Sequence, residues 1–211
     1  MAFYPVFLDL RGRKCLVVGS GPLAEEKVAG LLEAGAAVTV VSPAPSPKIA
    51  DLAAHERIVY KPRTFEPADL DGAALAIAAG QDPATAEAIW RESEKRGILL
   101  NTVDDVPHCN FIAPSIVRRG DLAVAISTGG KAPALAVRLR QHIETLIGDE
   151  HARFLDLAGT VRTRLAQQVP DFGTRRDRWY RLVDSDVLAL LREGDHETAH
   201  RRFEEILGVA P

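Results

Sequence analysis

The chain has 211 residues and a net charge of −3, and 46% of its residues are hydrophobic. A chain of this length can bury a substantial core, and the composition is typical of a soluble globular protein. The small negative charge excludes a general attraction to nucleic acid or to an anionic membrane, so we expect neither as a partner. Two cysteines suit a reducing compartment, and no segment approaches the roughly 20 apolar residues of a membrane span, so we expect a cytoplasmic protein.

The first half of the chain alternates short apolar runs with helical patterns, which predicts βαβ units around a parallel sheet. The clearest helix has Asp82 as its N-cap and Pro83 at its first position, and it stops at Gly97. We therefore predict a Rossmann-like α/β domain over residues 1–112. Its five strands are expected at residues 14–18, 37–41, 58–60, 75–79 and 98–101.

A different pattern follows residue 112. Two strands joined at Arg119-Gly120-Asp121 predict a hairpin, and residues 131–147 carry an apolar stripe at helical spacing. Because the Rossmann sheet is complete without these elements, we predict that residues 113–147 form a dimerisation segment that pairs with its copy in a homodimer.

Residues 148–211 show helical spacing throughout and no strand pattern, which predicts an all-helical C-terminal domain. The segment VPDFGTRRDRWY is expected to break this helical region once. Ser185 and Asp195 are predicted to cap two short closing helices. The predicted fold class is thus α/β with a parallel sheet, followed by the dimerisation segment and a helical domain.

The stretch Gly19-Ser20-Gly21-Pro22-Leu23-Ala24 joins the first predicted strand to a helix, as in a dinucleotide-binding turn. Gly19 permits the tight turn, Gly21 lets the backbone approach a pyrophosphate, and the helix N-terminus attracts the anion. Ser42 closes the second strand, where an acidic residue usually binds the ribose. A serine can donate one hydrogen bond and repels no phosphate, so these residues alone leave NAD and NADP open.

Two further segments carry polar side chains. NTVDDVPHCNFIAPS follows the fifth predicted strand with Asp104 and Asp105, and its His108 is a minor candidate for a metal contact or a plain hydrogen bond. ISTGGKAPALAVRLR ends a strand in Ser127-Thr128-Gly129 and continues through Lys131 into a helix. The second segment is either a carboxylate-binding corner or an ordinary strand-to-helix turn.

The order of these segments resembles the precorrin-2 dehydrogenase and sirohydrochlorin ferrochelatase family, the N-terminal module of siroheme synthases. The resemblance lies in PVFLDLRGRKCLVVGSGPLAEEKVAGLLEAGAAVTVVSP, in LAIAAGQDPATAEAI and in the two segments above. It implies a Rossmann domain, a dimerisation segment and a helical domain. It also implies that Asp104 is the catalytic aspartate and that NAD contacts fall on Pro22, Leu23, Pro43 and Ala44. Two positions depart from the family pattern, because Gly80 replaces a threonine and Thr128 replaces a serine.

The resemblance implies that the chain uses NAD to oxidise precorrin-2 to sirohydrochlorin and then inserts ferrous iron to give siroheme. We expect Asp104 to accept the proton and to contact the iron transiently, and NAD is favoured over NADP because no arginine follows Ser42 directly. The carboxylates of the tetrapyrrole need local cations and donors, for which the candidates are Arg118, Ser127, Thr128, Gly129 and Lys131. The alternatives are a dehydrogenase without chelatase activity and a Rossmann module that senses NAD without chemistry.

Overall fold

The computed structural model describes residues 3–211, and the chain divides into two compact units. The first unit ends at Ala113, and the second is Pro114–Pro211. Each unit has its own hydrophobic core. The three-part division at residues 112 and 147 stays a prediction. Within residues 3–211, no helix is long and apolar enough to cross a membrane.

The first unit is built on a parallel sheet of five strands in the order β3-β2-β1-β4-β5. Val17 in the central strand pairs with Val40 on one side and with Ile77 on the other. Apolar side chains from both faces of the sheet are buried in two separate clusters, as a sheet covered by helices requires. The predicted Rossmann-like sheet is confirmed, with strands β1 Lys14–Val18, β2 Ala37–Ser42, β3 Val59–Pro62, β4 Leu75–Ala78 and β5 Leu99–Thr102.

Three helices connect these strands. They are α1 Pro22–Glu33, α2 Pro47–Ala54 and α3 Pro83–Arg96, and two short 3₁₀ helices lie at Pro67–Leu70 and Val106–His108. The predicted ends of α3 are confirmed, because the Asp82 carboxylate caps its first turn and Gly97 has a φ of +66° after its last. Since the strands are parallel, the loops that follow them gather at one edge of the sheet, where open α/β sheets bind ligands.

The second unit begins with the predicted hairpin, in which β6 Ser115–Arg119 pairs antiparallel with β7 Leu122–Ile126. Five helices follow, and the last four enclose a core that contains the fully buried Phe203. The predicted helical C-terminal region is therefore confirmed. The helices are α4 Pro133–Leu146, α5 Asp149–Gln168, α6 Phe172–Val183, α7 Val187–Glu193 and α8 His196–Leu207.

Two local expectations need correction in this unit. The break predicted for VPDFGTRRDRWY is confined to residues 169–171, because Asp171 accepts a hydrogen bond from the Thr174 N–H and starts α6 at once. The cap of α8 at Asp195 is confirmed. The residue at the N-cap of α7 is Asp186 rather than Ser185, although the Ser185 hydroxyl still accepts a bond from the Val187 N–H.

Candidate functional site

A cavity of about 480 Å³ opens at the sheet edge where the strands of the first unit end. Both α1 and α3 begin at this cavity. Of the predicted cofactor residues, Gly19, Gly21, Pro22, Leu23, Ser42 and Pro43 line it, whereas Ala44 does not. The cavity is also lined by residues that no motif in the sequence predicts there, among them Thr64, Phe65, Gln81, Asp82 and Thr85.

Gly19 makes the turn out of β1 in a conformation that only glycine tolerates. Its φ is +125°, and a Cβ built on it would lie 2.2 Å from the carbonyl oxygen of Ala79. The side-chain nitrogen Nε2 of Gln81 supports the same turn by donating hydrogen bonds to the carbonyls of Val18 and Ala79, at 3.1 and 3.2 Å. Gln81 thus joins the ends of β1 and β4 directly beneath the glycine turn.

Gly21 is the N-cap of α1, and no side chain caps this helix. A Cβ built on Gly21 would meet nothing within 4 Å. Pro22 has no N–H group, and the N–H groups of Leu23 and Ala24 have no hydrogen-bond partner among the described residues. The start of α1 therefore offers unpaired donors, the positive end of the helix dipole and open space, which suit an anionic group such as a pyrophosphate.

Ser42 lies at the end of β2 with only 5% of its surface exposed. Its hydroxyl donates to the carbonyl of Ala44 at 3.0 Å, and the hydroxyl of Ser20 donates to the same oxygen at 2.6 Å. The hydroxyl hydrogen of Ser42 is therefore already used in this arrangement. Its oxygen can still accept a hydrogen bond from a ribose hydroxyl.

The start of α3 is closed by its own residues. The Asp82 carboxylate accepts hydrogen bonds from the N–H groups of Ala84 and Thr85 and from the Thr85 hydroxyl. The Thr85 hydroxyl contributes most to a lowered pKa of Asp82, followed by the Thr85 N–H. Among the lining residues that the structure describes, Asp82 alone carries a charge.

Asp104 follows β5 at the same sheet edge, but it does not line the cavity. It is exposed, and its φ of +64° lies in the left-handed region that glycine favours. The N–H of Asp105 donates to the carbonyl of Thr102 at 3.2 Å, so Asp104 is the third residue of a tight turn. Across residues 3–211, no donor pairs with the Asp104 carboxylate, which leaves it free to meet a ligand.

The Asp105 carboxylate contacts His108. The Asp105 carboxylate lies 2.6 Å from His108 Nδ1, and Glu87 of α3 lies 3.0 Å from His108 Nε2. The bond to Asp105 is the largest cause of a raised pKa of His108. Burial lowers the pKa of His108, and Glu87 raises it further. Both ring nitrogens are engaged, so neither is available to a metal in this arrangement, and the described residues contain no cluster suited to hold a metal ion.

The candidate substrate residues lie in the second unit, around the turn from β7 into α4. Ser127 Oγ accepts a bond from the Gly129 N–H at 3.1 Å, and Thr128 Oγ1 accepts one from the Ala132 N–H at 3.3 Å. The hydroxyls therefore shape the turn itself. Lys131 on the turn and Arg118 on β6 are exposed, and in the described part of the chain their side chains have no ionic partner.

Three family models match successive parts of the chain. An NAD(P)-binding family matches residues 6–115, a sirohaem biosynthesis protein central region matches residues 119–146, and a sirohaem synthase dimerisation region matches residues 150–207. The chain belongs to the precorrin-2 dehydrogenase and sirohydrochlorin ferrochelatase family, the N-terminal module of siroheme synthases. The resemblance inferred from the motifs is thereby confirmed.

The individual relatives agree with this family. The chain is 41% identical over 207 residues to a siroheme synthase of Thioalkalivibrio sulfidiphilus and 42% identical over 207 residues to one of Methylobacillus flagellatus. Each match covers 98% of this chain but only 42% and 44% of the two relatives, so the chain spans less than half their length. The structure of SirC, a precorrin-2 dehydrogenase, superposes with a TM-score of 0.79 at 25% identity, covering 98% of this chain and 100% of SirC.

Proposed function

We propose that this chain oxidises precorrin-2 to sirohydrochlorin, with NAD as the hydride acceptor. The family, the siroheme synthase relatives and the likeness to SirC support this reaction. The observation that carries the proposal is the uncapped start of α1 at Gly21, which opens into the cavity with unpaired N–H groups. Each of the other described α-helices either has a side-chain cap at its start or begins outside the cavity. The start of α1 is therefore the one suited to an external anion.

The cavity residues fit a dinucleotide. The N–H groups of Leu23 and Ala24 would hold the pyrophosphate, and the open space at Gly21 would admit it. Ser42 would accept a bond from the ribose of the adenosine half. We propose NAD rather than NADP, because no lysine or arginine is among the described lining residues to hold a 2′-phosphate. The bound nicotinamide would supply the hydride acceptor, and the protein must supply the base.

We assign the base to Asp104. Oxidation of precorrin-2 removes a hydride and a proton, and the proton requires an acceptor in contact with the tetrapyrrole. Asp104 is exposed, and its carboxylate has no partner among residues 3–211. It follows β5, the strand next to β4, and the residues that follow β4 line the cavity. Asp105 and His108 are occupied with each other, which makes them poorer candidates.

NADH absorbance after mixing the protein with precorrin-2 and NAD tests both assignments. Asp104→Asn should bind NAD normally and oxidise precorrin-2 about 10²–10⁴-fold more slowly, the range typical for the loss of a general base. Glu56→Gln is the matched control, because among residues 3–211 Glu56 is the other non-glycine residue with a positive φ, at +54°, and it is also exposed. NAD binding without NADH formation from precorrin-2 would favour the NAD-sensing alternative.

Insertion of ferrous iron into sirohydrochlorin is the second activity that we propose, and Asp104 supports it as well. Removal of the pyrrole protons needs a base, and an exposed carboxylate can contact the incoming iron, which is a substrate here. Purified protein should accelerate siroheme formation from sirohydrochlorin and ferrous iron above the spontaneous rate, and Asp104→Asn should reduce that acceleration. An unchanged spontaneous rate would favour a dehydrogenase without chelatase activity.

We also propose that the chain is a homodimer. In α4, Leu135, Leu139 and Leu146 are 53%, 40% and 59% exposed, which leaves an apolar stripe on residues 113–147. The family model named for dimerisation matches α5 to α8 instead. Light scattering at micromolar concentration should give the mass of a dimer, and Leu135→Glu with Leu139→Glu should give monomers if the stripe is in the interface. If the double variant stays dimeric, the interface lies on α5 to α8.

We propose that Lys131 and Arg118 bind carboxylates of the tetrapyrrole, with Ser127, Thr128 and Gly129 shaping the turn beside Lys131. Their exposure and their lack of ionic partners within the described chain support this role. Lys131→Ala should raise KM for precorrin-2 and leave the affinity for NAD unchanged. An unchanged KM would identify the segment as an ordinary strand-to-helix turn.

A further inference from the structure

The loop from Thr102 to Cys109 holds Asp104 in the left-handed region, which aspartate tolerates better than most residues with a Cβ but still at an energetic cost. The φ of +64° is unfavourable for any residue with a Cβ, and it persists only where the surrounding structure imposes it. The Asp104 side chain does not provide this support, since its carboxylate has no partner within residues 3–211. The conformation must therefore be imposed by the other residues of the loop.

The inner side of this loop is tied to β5. Cys109 Sγ accepts a hydrogen bond from the Thr102 N–H at 3.2 Å, and the Thr102 hydroxyl donates to the carbonyl of His108 at 2.8 Å. The Asp105 N–H closes the turn onto the Thr102 carbonyl. These bonds close the loop on itself and on the strand before it, but they do not join it to another element.

The Val103 N–H joins the start of the loop to β4 by donating to the Ala78 carbonyl at 2.9 Å. His108 makes the connection to the helix α3. Its Nδ1 lies 2.6 Å from the Asp105 carboxylate in the loop, and its Nε2 lies 3.0 Å from the Glu87 carboxylate in α3. The ring also contacts Trp90 of α3 edge-on, with centroids 5.9 Å apart. Arg91 holds the other Glu87 oxygen at 2.5 Å, so the acceptor in the helix is itself oriented.

The connection links the loop to the cavity. The helix α3 begins at the cavity with Asp82 and Thr85, so whatever fixes the loop against α3 also sets the position of Asp104 relative to the cavity. Without the imidazole between them, the carboxylates of Asp105 and Glu87 would repel each other and separate. No other side chain in the described loop contributes a hydrogen bond to Glu87.

We propose that His108 is a positioning residue, which joins Asp105 to Glu87 and thereby fixes the turn that presents Asp104 to the substrate. The proposal rests on the proposed function, because it assumes that Asp104 takes the proton from precorrin-2. A structural role alone would lower stability when His108 is replaced, but it would leave kcat of the folded protein unchanged.

Two substitutions at His108 separate these roles. His108→Phe keeps a flat ring beside Trp90 and removes both ring nitrogens, whereas His108→Gln keeps one side-chain amide group. The matched control is His55→Phe, since His55 lies 3.4 Å from Asp51 at the end of α2, is 72% exposed and adjoins no candidate site residue. Glu87→Gln tests the connection from the helix side without changing the loop. The measurements are kcat and KM for precorrin-2, NAD affinity, and hydrogen exchange of the loop amides.

We expect His108→Phe to lower kcat about 10-fold, since small displacements of a reacting group cost large factors in rate. KM and NAD affinity should stay within about twofold, His108→Gln and Glu87→Gln should lose less, and His55→Phe should lose nothing. The amide protons of Asp105 and Cys109 should exchange faster in His108→Phe than in the unaltered protein.

An unchanged kcat in His108→Phe would overturn the proposal, even if the variant were less stable. A rise in KM alone would also overturn it, because that would indicate direct substrate contact. Failure of the proposed function is distinguishable, since the unaltered protein would then form no NADH from precorrin-2. The exchange measurement would still decide the connection in that case: faster exchange of the Asp105 amide in His108→Phe supports it, and unchanged exchange overturns it.

Discussion

Helices α1 and α3 both begin at the cavity, and they begin differently. At α3 the Asp82 carboxylate occupies the N–H groups of Ala84 and Thr85. At α1 the cap is Gly21, which has no side chain to occupy the corresponding groups. Two helix starts at the same sheet edge thus differ in whether their donors are already used. The first arrangement stabilises the helix, and the second leaves donors for a ligand.

The comparison also indicates where an anionic ligand would go. The negative charge at the start of α3 repels a phosphate, and the unpaired donors at the start of α1 attract one. Both the repulsion at α3 and the attraction at α1 therefore favour binding of the pyrophosphate at the start of α1. Each of the four predictions below concerns one side of this difference.

The largest expected effect is on the turn that leads into α1. Gly19→Ala would place a Cβ 2.2 Å from the Ala79 carbonyl oxygen, a backbone atom that cannot move aside easily. We expect the free energy of unfolding to fall by about 3 kcal/mol or more, measured by urea denaturation. Gly72→Ala is the control, because Gly72 also has a positive φ, at +70°, but open space around it, and it should cost only about 1 kcal/mol. Equal losses would contradict the crowding at Gly19.

The next prediction concerns a substitution that caps the free N–H groups at the start of α1 without unfolding the protein. Gly21→Asp can cap the helix, since the backbone of Gly21 is extended and its Cβ would meet nothing, so stability should change by less than about 0.5 kcal/mol. The new carboxylate would occupy the donors and repel a pyrophosphate, and NAD affinity measured by calorimetry should fall about 100-fold.

Gly21→Asn is the matched control for this prediction. It fills the same space and caps the helix without a charge, so it should weaken NAD binding less than Gly21→Asp does. Undiminished NAD affinity in Gly21→Asp would show that the nucleotide does not use the start of α1.

The comparison of the two helices also shows what sequence patterns predict well. The ends of α3 follow from Asp82, Pro83 and Gly97, because capping and left-handed glycine are local properties. The strand limits were less accurate: β3 and β5 each begin and end later than predicted, at Pro62 and Thr102. Pairing with a neighbouring strand decides where a strand stops, and the partner's position is not a local property.

The candidate site was predictable to a similar extent. Gly19 and Gly21 follow from the motif. Thr64, Phe65 and Gln81 lie in the loops after β3 and β4, and the sheet order, which the motif does not contain, brings these loops to the cavity. The rule that ligands bind at strand ends could have indicated Gln81, which follows β4 closely. The partnership of His108 with Glu87 had no signal in the sequence, since it depends on how α3 packs beside the loop.

A smaller effect is expected when the capped start of α3 is opened. Asp82→Ala removes the cap and the one charge among the described lining residues, and it frees the N–H groups of Ala84 and Thr85. The melting temperature should fall by a few degrees, while NAD affinity should rise about two- to fivefold as the repulsion disappears. A fall in NAD affinity would instead indicate that Asp82 itself binds the nucleotide.

The smallest effect separates the charge of Asp82 from its capping geometry. The Thr85 hydroxyl and the N–H groups of Thr85 and Ala84 lower the pKa of Asp82 below the ordinary value of about 3.9 for aspartate. A carboxyl group with a lowered pKa stabilises the folded state above its unfolded pKa, and that contribution is lost as the pH falls through the folded pKa. Asp82→Asn retains an oxygen that can cap α3 but does not titrate. The unaltered protein should therefore melt about 1–2 °C above Asp82→Asn at neutral pH, and thermal melts should show this margin shrinking below about pH 4. A margin that persists at lower pH would show that the charge of Asp82 contributes nothing to the cap.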